Sequence, residues 1–209
     1  MWNAAGKRFF LAVMALLLMT GCASVKPVVK IGLVAPFEGR YRAVGYDAIY
    51  SARLAVREIN AAGGIGGYRV ALVALDDRGD PELARQAAAT LAVDPAVVAV
   101  VGHFLPATTE SATDIYANDG LPLIAMGGSP FDEHDAATLP AEFLERYAAV
   151  TPFDEVAGPF AGPTYDAFSL LRQALTTAKE NPGAINRETI QTALTGLEYE
   201  GLTGAVYQP

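Results

Sequence analysis

The chain contains very few of the side chains from which metal, disulfide and nucleic-acid sites are built. Its 209 residues include one cysteine, two histidines and one tryptophan. A single cysteine excludes an internal disulfide. His103 follows a glycine and His134 stands in an acidic loop, so the two histidines do not predict a metal site. The 15 basic residues are outnumbered by 23 acidic ones, which argues against nucleic-acid binding because that function needs a basic stripe.

Motifs typical of enzymes are also missing. The glycines within 63–67 follow a predicted helix rather than a strand, so they predict a helix end and not a phosphate-binding loop. Ser129 lacks the glycine two places later that a nucleophile elbow requires. Asp76 and Asp77 have no third metal ligand or general-acid partner nearby in sequence, and we interpret them as loop and cap carboxylates. We therefore predict no enzyme activity, no metal and no cofactor.

The N-terminal segment is typical of an exported protein. Two basic residues precede an apolar run at 9–19, which is shorter than the roughly 20 residues that span a bilayer but suits a signal peptide. Small residues then precede Cys22, a pattern that resembles the lipobox of bacterial lipoproteins; the alternative is a plain secretory signal with an unmodified cysteine. We predict a signal peptide over 1–21, a lipid on Cys22 and a tether over 22–29. The location expected is the cell envelope, anchored to a membrane and facing the periplasm or the cell exterior.

The hydrophobic pattern of the remaining chain predicts an α/β fold. Its 52% apolar residues are enough for a core. Four short apolar runs predict strands, at 28–35, 69–75, 97–101 and 121–126. Helical patterns separate them, at 46–61, from Asp80 onward, and at 107–117. This alternation predicts a doubly wound, mainly parallel sheet with helices on both faces. Further helices are predicted at 141–149, 164–179 and 187–195, and a closing strand at 204–207.

Several short motifs occur in an order that points to one protein family. They are Ala55–Gly67, Asp76–Pro81 and Val100–His103, followed later by Phe143–Tyr147, Tyr165–Ala167 and Gly201–Gly204. Together they resemble the leucine/isoleucine/valine-binding protein family, the solute receptors of bacterial amino-acid ABC transporters. The resemblance implies the fold of a type I periplasmic binding protein.

The same resemblance implies that part of the usual architecture is absent. Members of the family have two lobes, and their chain crosses into the second lobe after the fourth strand. Here the returning motifs begin soon after that strand. We therefore expect 127–139 to mark the place of the missing second lobe, and 30–209 to fold as a single α/β lobe.

The family's ligand position suggests candidate binding residues in this chain. It lies at the carboxyl ends of the strands, where open α/β sheets generally bind ligands. The resemblance places Thr108 and Thr109 on the ligand's carboxylate, Gly127 and Ser129 on its ammonium, and Tyr41 beside its side chain. The alternatives are helix capping for the threonines, a turn for Gly127 and Ser129, and an exposed loop aromatic for Tyr41.

These features lead to three hypotheses about function. The first is a lipid-anchored solute-binding protein that takes a small amino acid or related solute and works with an ABC permease. The second is a single-lobe interaction or sensor lipoprotein of the envelope, and the third is a remnant of a two-lobe protein without a present role. Under the first, a homodimer is one way to restore a cleft that a lone lobe lacks.

Overall fold

The computed structural model describes residues 26–152, 155–180 and 185–208 of the chain. The signal peptide and Cys22 of the sequence prediction lie outside these residues. None of the helices within the described ranges is long and apolar enough to cross a lipid bilayer.

A four-stranded parallel sheet forms the centre of the fold. Its strands are β1 (Val28–Ala35), β2 (Arg69–Asp76), β3 (Val97–Val101) and β4 (Leu123–Ile124), in the spatial order β2-β1-β3-β4. All three neighbouring pairs are parallel. Parallel strands covered on both sides need apolar residues throughout, and β3, whose five residues are all buried, shows this most clearly.

Six α-helices and one short hairpin complete the described structure. The helices are α1 (Arg42–Ala61), α2 (Pro81–Ala92), α3 (Pro106–Asn118), α4 (Ala141–Ala148), α5 (Ala161–Glu180) and α6 (Arg187–Thr195). A 3₁₀ turn at Ala136–Thr138 precedes α4, and β5 (Tyr199–Glu200) pairs antiparallel with β6 (Val206–Tyr207) near the C-terminus.

The sheet is covered on both faces, as the sequence predicts for a doubly wound fold. Ile31 and Leu33 of β1 belong to the larger core, which includes residues of α1, α5 and α6. Val34 belongs to a second core that includes Leu91 of α2 and Tyr116 of α3. The alternation arises because successive side chains of a strand point to opposite faces. The predicted α/β class is confirmed.

Three of the predicted elements differ most from the sequence prediction. Helix α1 begins at Arg42, four residues earlier than predicted, with Tyr41 as an N-cap residue whose side chain makes no capping bond. Strand β4 has two residues instead of six, and it lies at the edge of the sheet with a neighbour on one side only. The predicted closing strand is shorter and pairs with β5, outside the central sheet.

The returning part of the chain is bound to the first part by polar contacts, most of them partly buried. Asp47 of α1 accepts hydrogen bonds from the backbone N–H groups of Gly158 (3.1 Å) and Phe160 (3.3 Å). The guanidinium of Arg187 donates to four backbone carbonyls near the ends of α2 and α3 and the start of β3, those of Ala92, Asp94, Val97 and Asp119 at 2.8 to 3.1 Å. The helices α5 and α6 therefore close the larger core without a second lobe.

Candidate functional site at the carboxyl edge of the sheet

The loops that follow the four strands of the sheet meet at its carboxyl edge. A Cβ added to Gly79, after β2, would lie 2.9 Å from the ring of Tyr41, after β1, and 2.8 Å from Leu105, after β3. A Cβ added to Gly127, after β4, would lie 2.5 Å from the carbonyl oxygen of Phe104. Glycine at these positions lets the four loops approach closely, and together they form the floor of the candidate site.

The first turn of α3 is the part of this edge best suited to an anion. A helix N-terminus offers free N–H groups. In α3 the first position is Pro106, which has no N–H, and the N–H groups of Thr108 and Thr109 already donate to the Leu105 carbonyl. The N–H of Ala107 has no partner among the residues that the structure describes. The turn therefore offers fewer donors to a carboxylate than the sequence alone suggests.

The hydroxyls of both threonines are used within the protein. Thr108 is fully buried, and its hydroxyl donates to the carbonyl of Leu105 at 2.9 Å. The half-buried Thr109 hydroxyl lies within hydrogen-bond distance of the carbonyls of Leu105 (3.0 Å) and His103 (3.2 Å). Neither hydroxyl accepts a capping bond from an N–H group, and Leu105 occupies the N-cap position. The Thr109 hydroxyl can still accept a hydrogen bond from a ligand, although its proton is already committed. Thr108 has no exposed surface through which a ligand could reach its hydroxyl.

Tyr41 and Gly127 lie at the floor of this edge, whereas Ser129 lies to one side. Tyr41 is half-buried, and the guanidinium of Arg40 stands 5.3 Å from the centre of its ring. Gly127 begins a tight turn in which its N–H donates to the carbonyl of Phe131 at 3.0 Å. Ser129 is exposed and lines a cavity of about 230 Å³ that β4 shares with α6 and β6. The structure thus brings together the loops of Tyr41, Thr108 and Gly127, and it records no contact between Ser129 and the threonines.

A buried network that the sequence analysis missed lies beneath these loops. The imidazole Nδ1 of His103 stands 2.7 Å from Oδ2 of Asp77, and its Nε2 stands 3.2 Å from the hydroxyl of Tyr116. All three residues are almost completely buried. Burial, with the Asp77 carboxylate nearby, raises the pKa of the Tyr116 hydroxyl above its ordinary value, so the phenol stays protonated. Asp77 is therefore a partner of His103 as well as a loop residue.

The neighbouring Asp76 has a separate structural role. Its Oδ1 accepts hydrogen bonds from the N–H groups of Phe37 (2.8 Å) and Arg78 (2.9 Å), which joins the loops after β1 and β2. Arg78 in turn pairs with Glu38 at 2.6 Å on the exposed rim. Both aspartates are thus used in hydrogen bonds to their surroundings. Among the described residues, no group of three or more His, Cys, Asp or Glu side chains is arranged to hold a metal ion.

Comparison with known proteins identifies the family of this fold. Residues 28–140, more than half of the chain, match the family described as periplasmic binding protein. The chain is 36% identical over 101 residues to an amino acid binding protein of Pseudomonas aeruginosa, a match that covers 48% of this chain and 27% of that protein. It is 31% identical over 133 residues to the Leu/Ile/Val-binding protein of Escherichia coli, covering 64% of this chain and 34% of that protein. The chain thus spans about a third of the length of the curated relatives it matches.

Solved structures show the same fold over most of this chain. The branched-chain amino acid transporter substrate binding protein of Streptococcus pneumoniae, in complex with isoleucine, superposes with a TM-score of 0.68 at 17% identity, covering 85% of this chain and 91% of that one. An ABC transporter substrate-binding protein of Desulfitobacterium hafniense in complex with Leu gives a TM-score of 0.70 at 14% identity, covering 87% and 92%. The predicted single lobe of the type I fold is confirmed, and the chain belongs to the periplasmic binding protein family.

Proposed function

We propose that this chain is the solute-binding component of an ABC transporter of the branched-chain amino-acid type, and that its solute is a small amino acid or a related compound. The observation that carries the proposal is the convergence of the loops after β1, β2, β3 and β4 at one edge of the sheet. Open α/β sheets bind ligands at that edge. The relatives named for amino acids or for leucine, isoleucine and valine support the same class of solute.

The edge offers both polar and apolar groups for such a solute. The free N–H of Ala107 can donate to a carboxylate, and the helix dipole of α3 favours a negative charge at this end. The carbonyl of Gly127 is an acceptor that suits an ammonium group. Ser129 lies to one side in a separate cavity, so its part in the site is proposed from the sequence prediction alone. The ring of Tyr41 provides an apolar wall. We infer these roles from where the residues lie, and they extend the sequence prediction.

A lone lobe is expected to bind its solute weakly. A micromolar site corresponds to about −8 kcal/mol, so a lobe that supplies half of this free energy reaches only the millimolar range. A second copy facing the same edge would restore a cleft, and a lipid on Cys22 would hold the protein near its permease at the membrane. The dimer, the lipid on Cys22 and the envelope location are all parts of this proposal.

A second candidate is a single-lobe interaction or sensor lipoprotein. It is favoured by one observation, namely that the hydroxyl protons of Thr108 and Thr109 are donated to backbone carbonyls. An edge whose donors are used internally is better suited to a protein surface than to a small polar solute. The third hypothesis is a remnant without function, and a chain that does not unfold cooperatively would favour it.

Thermal unfolding of the full chain with and without amino acids separates these candidates. Leucine, isoleucine, valine, alanine and threonine are each added at millimolar concentration, since a ligand that binds only the folded state raises the midpoint. We expect a rise for one or more of them. A cooperative transition that none of them moves contradicts the solute-binding proposal in favour of the interaction protein. A chain that shows no cooperative transition contradicts both and favours the remnant.

Two threonine variants test whether the rise depends on the carboxyl edge. Thr109→Val removes a hydroxyl that bonds the Leu105 carbonyl four residues earlier. Thr176→Val is a matched control on α5, because the exposed Thr176 hydroxyl bonds the Arg172 carbonyl in the same manner, at 2.8 Å. We expect the first to reduce the ligand-dependent rise and the second to leave it unchanged. Equal effects of the two variants would place the solute elsewhere.

A further inference from the structure

Three buried side chains form a continuous network beneath the carboxyl edge of the sheet. The imidazole of His103 bridges Asp77 and Tyr116, at 2.7 and 3.2 Å. His103 and Asp77 have no exposed surface, and Tyr116 is 1% exposed. A solute bound at the edge therefore does not touch the network, which can act on the solute only through the backbone of the loops above it.

The network crosses the sheet between strands that are not neighbours. Strand β1 separates β2 from β3, so His103 at the end of β3 reaches past the end of β1 to Asp77. Glycine makes this approach feasible, because a Cβ on Gly102 would lie 2.3 Å from the carbonyl oxygen of Val34 in β1. The side-chain contact thus links two loops that no strand pairing holds together.

Each end of the network is bound to a different part of the candidate site. Asp77 Oδ1 accepts a hydrogen bond from the Gly79 N–H at 2.9 Å, which shapes the loop after β2. The carbonyl of His103 accepts the N–H of Met126, after β4, at 3.1 Å and the hydroxyl of Thr109, on α3, at 3.2 Å. His103 therefore connects the loops after β2, β3 and β4 with the first turn of α3, through its imidazole on one side and its backbone carbonyl on the other.

The hydrogen-bond partners of the imidazole assign the proton on Nδ1. A carboxylate oxygen accepts hydrogen bonds, so the 2.7 Å contact is satisfied when Nδ1 carries the hydrogen and donates it to Oδ2 of Asp77. If this donor is lost, a buried carboxylate oxygen has no partner, and the loop after β2 must shift to bring it to water. The His103–Asp77 bond is therefore the part of the network that fixes the spacing of the loops.

We propose that His103 is a positioning residue for the solute site. Its bond to Asp77 sets the distance between the loop after β2 and the first turn of α3, and solute affinity depends on that distance. This inference rests on the proposed function, since it assumes that the solute binds at the carboxyl edge. The part that concerns loop spacing can be tested without any ligand.

Three substitutions separate the two hydrogen bonds of the imidazole. His103→Leu removes both, and Tyr116→Phe removes only the hydroxyl contact. His103→Asn retains an N–H donor close to the position of Nδ1, so it can still reach Asp77. If the bond to Asp77 is the one that matters, His103→Asn and Tyr116→Phe are expected to behave like the wild type, whereas His103→Leu is not.

Hydrogen–deuterium exchange of the full chain reports loop spacing without a ligand. We expect His103→Leu to increase exchange in peptides covering 77–80 and 103–109 and to leave α5 unchanged. Calorimetry measures affinity for the amino acid that raises the unfolding midpoint of the wild type. We expect His103→Leu to lower this affinity about tenfold or more, and His103→Asn to retain most of it. Rescue by asparagine is not expected of a residue that merely fills space.

Leu171→Ala is the control for a general loss of stability. Leu171 is fully buried in the larger core, where truncation costs about 2 to 5 kcal/mol without touching the network. The inference is overturned if His103→Leu leaves hydrogen exchange unchanged in both loops. It is also overturned if Leu171→Ala loses as much affinity as His103→Leu. A wild-type protein that binds none of the amino acids contradicts the proposed function instead, and the exchange result then decides the positioning role by itself.

Discussion

The carboxylate of Asp166 on α5 holds Thr203 through two hydrogen bonds, from the backbone N–H at 3.0 Å and from the hydroxyl at 2.6 Å. It also accepts the N–H of Leu202 at 2.8 Å, although these residues lie far apart in sequence. A buried carboxylate satisfied in this way fixes the C-terminal turn against the helix. The turn between β5 and β6 is therefore part of the lobe.

Substitution of Asp166 by alanine is predicted to destabilise the protein by about 3 kcal/mol, because two N–H groups and the hydroxyls of Thr203 and Tyr199 lose their acceptor. Urea denaturation of the full chain measures this change. Asp114→Ala is the matched control, since Asp114 is exposed on α3, and its effect is expected to stay within about 0.5 kcal/mol. Similar midpoints for the two variants would contradict the role assigned to Asp166.

The carboxyl group of Asp47 is predicted to give the folded protein a distinctive pH dependence. Burial raises its pKa from 3.8 to about 6, even though the N–H groups of Phe160 and Gly158 oppose the change. The folded state therefore binds more protons than the unfolded state between about pH 4 and pH 6, so this group lowers the free energy of unfolding as the pH rises through that window. The difference amounts to about 3 kcal/mol at most.

Asp47→Asn isolates this contribution, because asparagine does not titrate. We expect the stability of the wild type, measured relative to this variant, to fall between pH 4 and pH 6 and to level off above that range. Asp114→Asn provides the control for loss of an exposed carboxyl group. A constant difference between wild type and Asp47→Asn across the window would show that Asp47 keeps its ordinary pKa when folded.

Two adjacent glycines in the loop after β4 are predicted to respond differently to alanine. Gly127 has a φ of +72°, and a Cβ there would lie 2.5 Å from the Phe104 carbonyl, whereas a Cβ on Gly128 would meet open space. We expect Gly127→Ala to cost about 2 kcal/mol or more and to increase exchange in the loop after β3. Gly128→Ala is expected to be within about 0.5 kcal/mol of the wild type. Comparable losses would argue against the close contact of the two loops.

The lipid anchor is predicted to depend on Cys22. When the full chain is expressed in bacteria that process lipoproteins, we expect it to partition into the detergent phase and to carry acyl chains detectable by mass spectrometry. Cys22→Ser is expected to shift the protein to the aqueous phase, because serine cannot form the thioether. A wild-type chain found in the aqueous phase with a free thiol would support the plain secretory signal.

The sequence was sufficient to predict the sheet and most of its helices, because buried parallel strands are continuous apolar runs. Val97–Val101 has the same limits in the sequence prediction and in the structure. The short β4 was harder to predict, since the apolar character of 121–126 reflects burial, whereas pairing requires a neighbouring strand in register. Propensity alone does not supply that information.

The candidate site was predictable only in outline. Its position follows from the rule for open α/β sheets, but the internal use of the Thr108 hydroxyl depends on the local path of the backbone. The pairing of Asp77 with His103 was missed because the two are 26 positions apart and β1 stands between their strands. The position of His103 directly after a buried strand could have indicated this pairing. A buried histidine needs polar partners, and few side chains in this chain can serve.

Arg187 has a consequence for the order in which the protein can fold. Its guanidinium completes the hydrogen bonding of backbone carbonyls up to 95 positions earlier in the chain. Until that residue arrives, the C-terminal end of α2 and the start of β3 must be hydrated, and the sheet has no cover from α6. The last quarter of the chain thus adds contacts of long range, and such contacts generally slow folding. An unfinished chain that ends before Arg187 would therefore leave these backbone carbonyls to water and part of its sheet uncovered.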